Sequence, residues 1–221
     1  MDDKIDHGFC RIFCALLTLV TIISGSLTKD VYADEPSFLS ENTQIIEKSL
    51  EQSDINVIKV SKDKDTIIIV NNHLETTGLS VEDKSNFKSM VKGQLEGAEA
   101  KKASYHLIDK LGEASVKRAP QAEAVARYLS KHLGRSIILC GDFNDGPISY
   151  AHHVISKHLT DCYVESGNGP GLSYHKGGMY VRIDNIMCSS DWQPFECKVD
   201  NKIKDSDHYP IFCWLKKRGK P

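Results

Sequence analysis

The chain has 221 residues, a formal net charge of −2 with 26% charged residues, and seven cysteines. This length suits one ordinary domain with a sizeable core, since single cores become hard to sustain only beyond about 250–300 residues. The near-neutral balance excludes an overall basic field for sequence-independent nucleic-acid binding and leaves room only for a local groove. The cysteines are odd in number and lack CxxC pairing, and Cys140, Cys188 and Cys213 lie inside apolar runs. They read as buried, reduced packing residues rather than a disulfide framework or a zinc site.

Ile12–Ile23, IFCALLTLVTII, is strongly apolar but shorter than the ~20 residues of a membrane span. It has the length of a signal-peptide core, with Val31-Tyr32-Ala33 as a cleavage site; residues 1–33 then form a leader or anchor that touches the membrane through 12–23. Against this, Asp2, Asp3 and Asp6 outnumber Lys4 and Arg11 in the preceding segment, and a buried helix is the competing reading. The first reading implies the cell envelope or secretion, the second the cytoplasm. Residues 34–217 form the domain proper.

From Pro36 to Asp54 the sequence is polar and edge-like. Ile55–Val60 alternates, and the short polar stretch Ser61–Asp65 joins it to the β-branched run of Thr66–Leu74, predicting a hairpin. The second strand of that hairpin ends in Asn71, Asn72, His73 and, after Leu74, Glu75. Glu82–Lys117 is charged and alanine-rich, with Gly93, Gly97 and Gly112 as interruptions. A second helix is expected to open with Pro120 in its first turn, to carry Ala122, Val125, Ala126, Leu129 and Leu133 on one side, and to stop at Gly134.

Ser136–Pro147, SIILCGDFNDGP, is the central stretch. Ile137–Cys140 reads as a strand buried on both faces. It ends in Asp142, Asn144 and Asp145 between two glycines, and an extended Asp142–Asn144 would point both side chains the same way. A carboxylate beside a carboxamide makes a metal or phosphate site, or orients a water; a strand followed by an Asx turn is the plain alternative. Ser149–Leu159 reads as a short helix whose His152, His153 and His158 face solvent. Met179–Ser189 is expected to be a strand with Arg182 and Asp184 on one face, which either pair with each other or need other partners. Finally, Asp207 and His208 precede the apolar Ile211–Trp214, held extended there by Pro210.

NNHLE at 71–75, GDFND at 141–145, RIDNI at 182–186 and SDHYPI at 206–211 occur in this order, each beside a strand. In this the chain resembles the C-terminal part of the endonuclease/exonuclease/phosphatase superfamily. The resemblance implies an α/β, DNase I-like fold of two packed mixed sheets flanked by helices, and Mg²⁺- or Mn²⁺-dependent hydrolysis of phosphate esters. The substrate class spans nucleic acids, sugar phosphates and lipid headgroups.

The resemblance also assigns roles. His73 donates to a phosphate oxygen, Asp142 orients or deprotonates the attacking water, and Asn144 holds the phosphate or a second metal position. Asp184 pairs with His208 and keeps it protonated, and Asp207 ligates the metal together with Asp142 and Asn144. The family's N-terminal Asn strand and its Gln-Glu strand, whose Glu is the principal metal ligand, find no counterpart here. The expectation is therefore an N-terminally incomplete domain whose first part is missing or arrives on another chain. A catalytically impaired remnant and an envelope-anchored interaction domain are the alternatives.

Overall fold

The computed structural model describes residues 9–14, 44–49, 54–62 and 65–219. Among the described residues, nine strands form two sheets: β1 (Phe9–Cys14), β2 (Gln44–Ser49), β3 (Asp54–Lys62), β4 (Asp65–His73), β5 (Ser136–Asp142), β6 (Thr160–Asp161), β7 (Asp184–Cys188), β8 (Trp192–Val199) and β9 (Ile211–Lys217). The helices are α1 (Val81–Val91), α2 (Gly97–Ser130), α3 (Tyr150–Ser156) and α4 (Cys162–Ser166). The larger sheet runs β2-β3-β4-β5-β7-β6 and the smaller β1-β9-β8. All pairs are antiparallel except β4 with β5.

Side chains alternate along β5, and the two faces fill two different cores. Ile138 and Cys140 join Ile186 and Cys188 of β7 against Trp192, Cys197, Ile211, Cys213 and Leu215 of the smaller sheet. Ile137 and Leu139 join Ile68, Val70 and Met187 against Ala122, Val125 and Leu129 of α2 and Ala151 and Ile155 of α3. A strand covered on both faces must be apolar throughout, which is why this stretch reads as a continuous run. Burying Leu139 completely stabilises the fold by about 2 kcal/mol. The hairpin of β3 and β4 forms as expected, and Cys140, Cys162, Cys188, Cys197 and Cys213 are buried free thiols.

Several expectations change. Ile12–Cys14 belong to β1, paired with β9, and not to a helix; residues 1–8 and 15–33 of the proposed leader, with its cleavage site, lie outside the described residues. Gly112 and Pro120 fall inside one 34-residue helix. Pro120 is exposed, and so is Val116, one turn before it. The carbonyl that Pro120 cannot bond therefore has access to water. The strand expected from Met179 starts only at Asp184, and Arg182 and Asp184 take different partners. His153 and His158 are exposed, but His152 is buried, with Nε2 2.9 Å from Asp161 Oδ2. Among the described residues, no helix is long and apolar enough to cross a membrane.

Candidate active site

Strand register builds the site. His73 on β4 lies opposite Asp142 on β5, and Asp142 lies opposite Asp184 on β7. Three neighbouring strands thus end their apolar runs level with one another and carry one polar tip each. The turn before β9 delivers His208 from the smaller sheet, pinned by a bridge to Tyr174. One oxygen or nitrogen from each of Asp142, Asp184 and His208 lies within 4.8 Å of the others.

His208 Nδ1 is 2.8 Å from Asp184 Oδ2. Burial alone would lower the His208 pKa, but the Asp184 hydrogen bond and the charges of Asp184, Asp142 and Asp207 outweigh it and raise the pKa above the ordinary histidine value. Asp142 is 2% exposed. Burial, followed by the negative charge of Asp184, pushes its pKa up to about 6, against the opposing pull of the Asn144 N–H, His208 and His73. Its Oδ1 accepts the Asn144 backbone N–H at 2.7 Å. Its Oδ2 faces His73 Nε2 at 3.8 Å and His208 Nε2 at 3.9 Å, both longer than hydrogen bonds.

Asn144 is not extended. With φ at +50° it closes an Asx turn, so its amide turns toward β4: Nδ2 donates to the Leu74 carbonyl at 2.9 Å and lies 3.3 Å from His73 Nε2. The adjacent Gly141, at φ +152°, leaves no room for a side chain, since a Cβ there would fall 1.9 Å from the Asn72 carbonyl oxygen. Asp207 lines the cleft beside these residues, half-buried, and its carbonyl accepts the His175 N–H at 3.1 Å. His73, Asp142, Asn144, Asp184, Asp207 and His208 therefore line one cleft of about 870 Å³.

The residues that hold this set in place escaped sequence reading. Ser173 Oγ accepts the backbone N–H groups of Ile183 and Asp184, at 3.2 and 3.1 Å, and fixes where β7 begins. Arg118, 1% exposed, bonds Asp145 (Nη2 to Oδ2 3.0 Å) and the Glu75 carbonyl (3.2 Å), tying the loop after β4 to the loop after β5. Asp161 takes both Nη atoms of Arg182, at 3.2 and 3.0 Å. Arg118 had left a trace: it falls on the helical spacing Ala114, Arg118, Ala122, Val125, Leu129. Ser173, in a loop, and Asp161, in a two-residue strand, leave none.

A hard divalent cation fits the donors present. Two buried carboxylates converge here; burial first, and then the negative charge of Asp184, raise the Asp142 pKa, and a cation between the two would offset both effects. Asp205 and Asp207 add carboxylates to the cleft wall, and among the described residues no glutamate lines it.

No curated protein matches the chain by sequence. Among solved structures it is similar to truncated Caenorhabditis elegans TDP2, with a TM-score of 0.51 and 14% identity over 80% of this chain and 69% of that one. It is also similar to D. rerio TDP2 humanized by 14 mutations, with a TM-score of 0.52 and 15% identity over 81% of this chain and 67% of that one. At these identities the likeness speaks for the fold, which is DNase I-like. The sequence profile of the Endonuclease/Exonuclease/phosphatase family matches residues 68–208, a span that begins in β4 and ends on His208. With its four polar strand tips and more than half its length inside that match, the chain belongs to the endonuclease/exonuclease/phosphatase family.

Proposed function

We propose that the protein is a hydrolase of phosphate esters that works with a divalent cation, Mg²⁺ or Mn²⁺. The observation that carries this reading is the meeting of Asp142, Asp184 and His208 at aligned strand ends in an open cleft. Enzymes of this family are generally dependent on divalent metals. Asp142, Asp207 and Asn144 would hold the cation, which when bound polarises the phosphoryl oxygens.

The chain's own groups do the rest. Asp184 keeps the His208 ring oriented and protonated, so Nε2–H presents positive charge to an oxygen of the phosphoryl group as negative charge develops there. Asp142, ionised at neutral pH, accepts a proton from the attacking water. His73 stands on the other side of Asp142 and donates to a second phosphoryl oxygen. The cleft accommodates a nucleotide, a sugar phosphate or a lipid headgroup, and all three are candidate substrates.

The test is hydrolysis of bis(p-nitrophenyl) phosphate by the purified chain. Activity is expected with Mg²⁺ or Mn²⁺ and not in excess EDTA, and Asp142→Ala should lower it by ~10²–10⁴-fold. Turnover that persists in EDTA would overturn the reading. One observation favours a second reading, a binding cleft with weak catalysis: among the described residues no glutamate supplies a further metal ligand. Metal binding without measurable turnover would select it. A leader or anchor at Ile12–Ile23 is a separate proposal, decided by membrane fractionation.

A further inference from the structure

Five aspartates line the cleft: Asp142, Asp145, Asp184, Asp205 and Asp207. Against them stand Lys84 and Arg182. Arg182 is consumed, its two Nη atoms held by Asp161 and its guanidinium 5.3 Å from the centre of the Tyr163 ring. Lys84 is different. Half-buried on α1, it makes no ion pair with any carboxylate among the described residues. Its ammonium donates to the Tyr174 hydroxyl at 2.6 Å, a neutral acceptor that leaves its charge uncompensated.

This lysine is held in place. Gly177, at φ +70°, lies so close to the lysine stem that a Cβ there would come within 2.9 Å of Lys84 Cδ and 3.1 Å of its Cβ. The Tyr174–Val181 hairpin therefore packs directly on the stem, and the chain reverses at a position only glycine adopts without strain. Tyr174 in turn meets the His208 ring edge-on, with centroids 5.2 Å apart, and its backbone bridges to His208. Lys84, Tyr174 and His208 thus form one wall running outward from the reacting centre. A long side chain whose stem and head are both fixed loses little entropy on binding a ligand.

We propose that Lys84 is a specificity-determining residue that receives a second phosphoryl group of the substrate, beside the one bound at His208 and Asp142. The proposal rests on the reading of the cleft as a phosphate-ester site and names the substrate class: phosphate esters that carry a further phosphate on the same molecule. A fixed ammonium with no carboxylate partner in the cleft wall rewards an anion at that point and penalises a neutral group, which leaves the lysine part-dehydrated with only the Tyr174 hydroxyl as acceptor.

The test compares ligands that differ by one phosphate: thymidine 3′,5′-bisphosphate against thymidine 5′-monophosphate, and glucose 1,6-bisphosphate against glucose 1-phosphate. Binding is measured by calorimetry at low salt on the full chain, on Lys84→Met, which keeps the stem, and on Lys84→Arg, which keeps the charge. The wild type is expected to prefer a bisphosphate by about tenfold, the scale of one charge-assisted hydrogen bond, with the preference lost in Lys84→Met and kept in Lys84→Arg. A preference within the thymidine pair alone assigns the second phosphate to a nucleotide; a preference in both pairs assigns it to charge irrespective of the carrier. No preference in the wild type, or one that survives in Lys84→Met, overturns the proposal. Turnover of the p-nitrophenyl ester of thymidine 5′-phosphate is scored separately. Binding that depends on Lys84 without turnover keeps the anion site and removes the hydrolase reading, while turnover without the binding preference does the reverse.

Discussion

Asp142 combines its proposed chemical role with an energetic burden. Its folded-state pKa, raised to about 6, lies above the ordinary carboxylate value of 3.8. Ionising it in its buried place beside Asp184 therefore destabilises the fold, and stability present below the unfolded value is lost as pH rises through 6, by on the order of 3 kcal/mol. Asp142→Asn keeps the Oδ1 acceptor for the Asn144 N–H and removes the repulsion. Without added metal at pH 7 this variant should melt above the wild type in a thermal scan while losing hydrolysis; a lower melting temperature would refute the account. Asp184→Asn removes the hydrogen bond and the charge that raise the His208 pKa, so the His208 ring resonance in NMR should titrate at lower pH than in the wild type. These residues were legible in the sequence because each polar tip directly abuts an apolar run. The Asn144 conformation was not: a φ of +50° is a property of the turn, set by the Asp142 carboxylate reaching back to its N–H.

At the level of elements, α2 connects the scaffold to the chemistry. Its apolar residues pack on β4 and β5 while Arg118, on the same face, reaches the two loops that follow those strands. Gln121, one turn on, accepts the Glu75 N–H at 2.7 Å, so two side chains of α2 fix the loop after β4. Replacing Arg118 by Met leaves Asp145 and the Glu75 carbonyl without their partner, and because Asp145 is only half-buried the loss of its charged hydrogen bonds costs ~1.5–3 kcal/mol. Both loops should loosen, so kcat is expected to fall more than KM rises, and Lys at 118 should restore little because it lacks the fork that spans Asp145 and Glu75. Equal stability of Arg118→Met and wild type in urea would contradict this. The sequence marks the apolar spacing of the helix from Ala122 onward but hides its true start, because Gly112 and Pro120 punctuate local pattern whereas tertiary packing carries the helix through both.

Across the whole molecule, the buried network of Asp161, Arg182 and His152 fastens α3, the start of α4 and the strand that brings Asp184 to the site. Asp161 caps α4 by accepting the Tyr163 and Val164 N–H groups, at 2.9 and 3.1 Å, and its other contacts reach Arg182 and His152. Burial would raise the Asp161 pKa, but the His152 and Arg182 hydrogen bonds and the Arg182 charge overcome it and lower the value to about 2. The sign follows from that depression: the stabilisation is complete above the unfolded value of 3.8 and disappears as pH falls through the folded value. It amounts to ~2 kcal/mol, enough to matter in a fold whose total stability is of order 5–15 kcal/mol. Asp161→Asn strands the Arg182 charge, which at 6% exposure has no adequate access to water. The variant should therefore be less stable than the wild type at pH 7, and the gap in urea midpoints should narrow between pH 4 and pH 2, where the wild type loses the same carboxylate by protonation. A gap that stays constant down to pH 2 would mean that the network contributes through packing, with its charge playing no part.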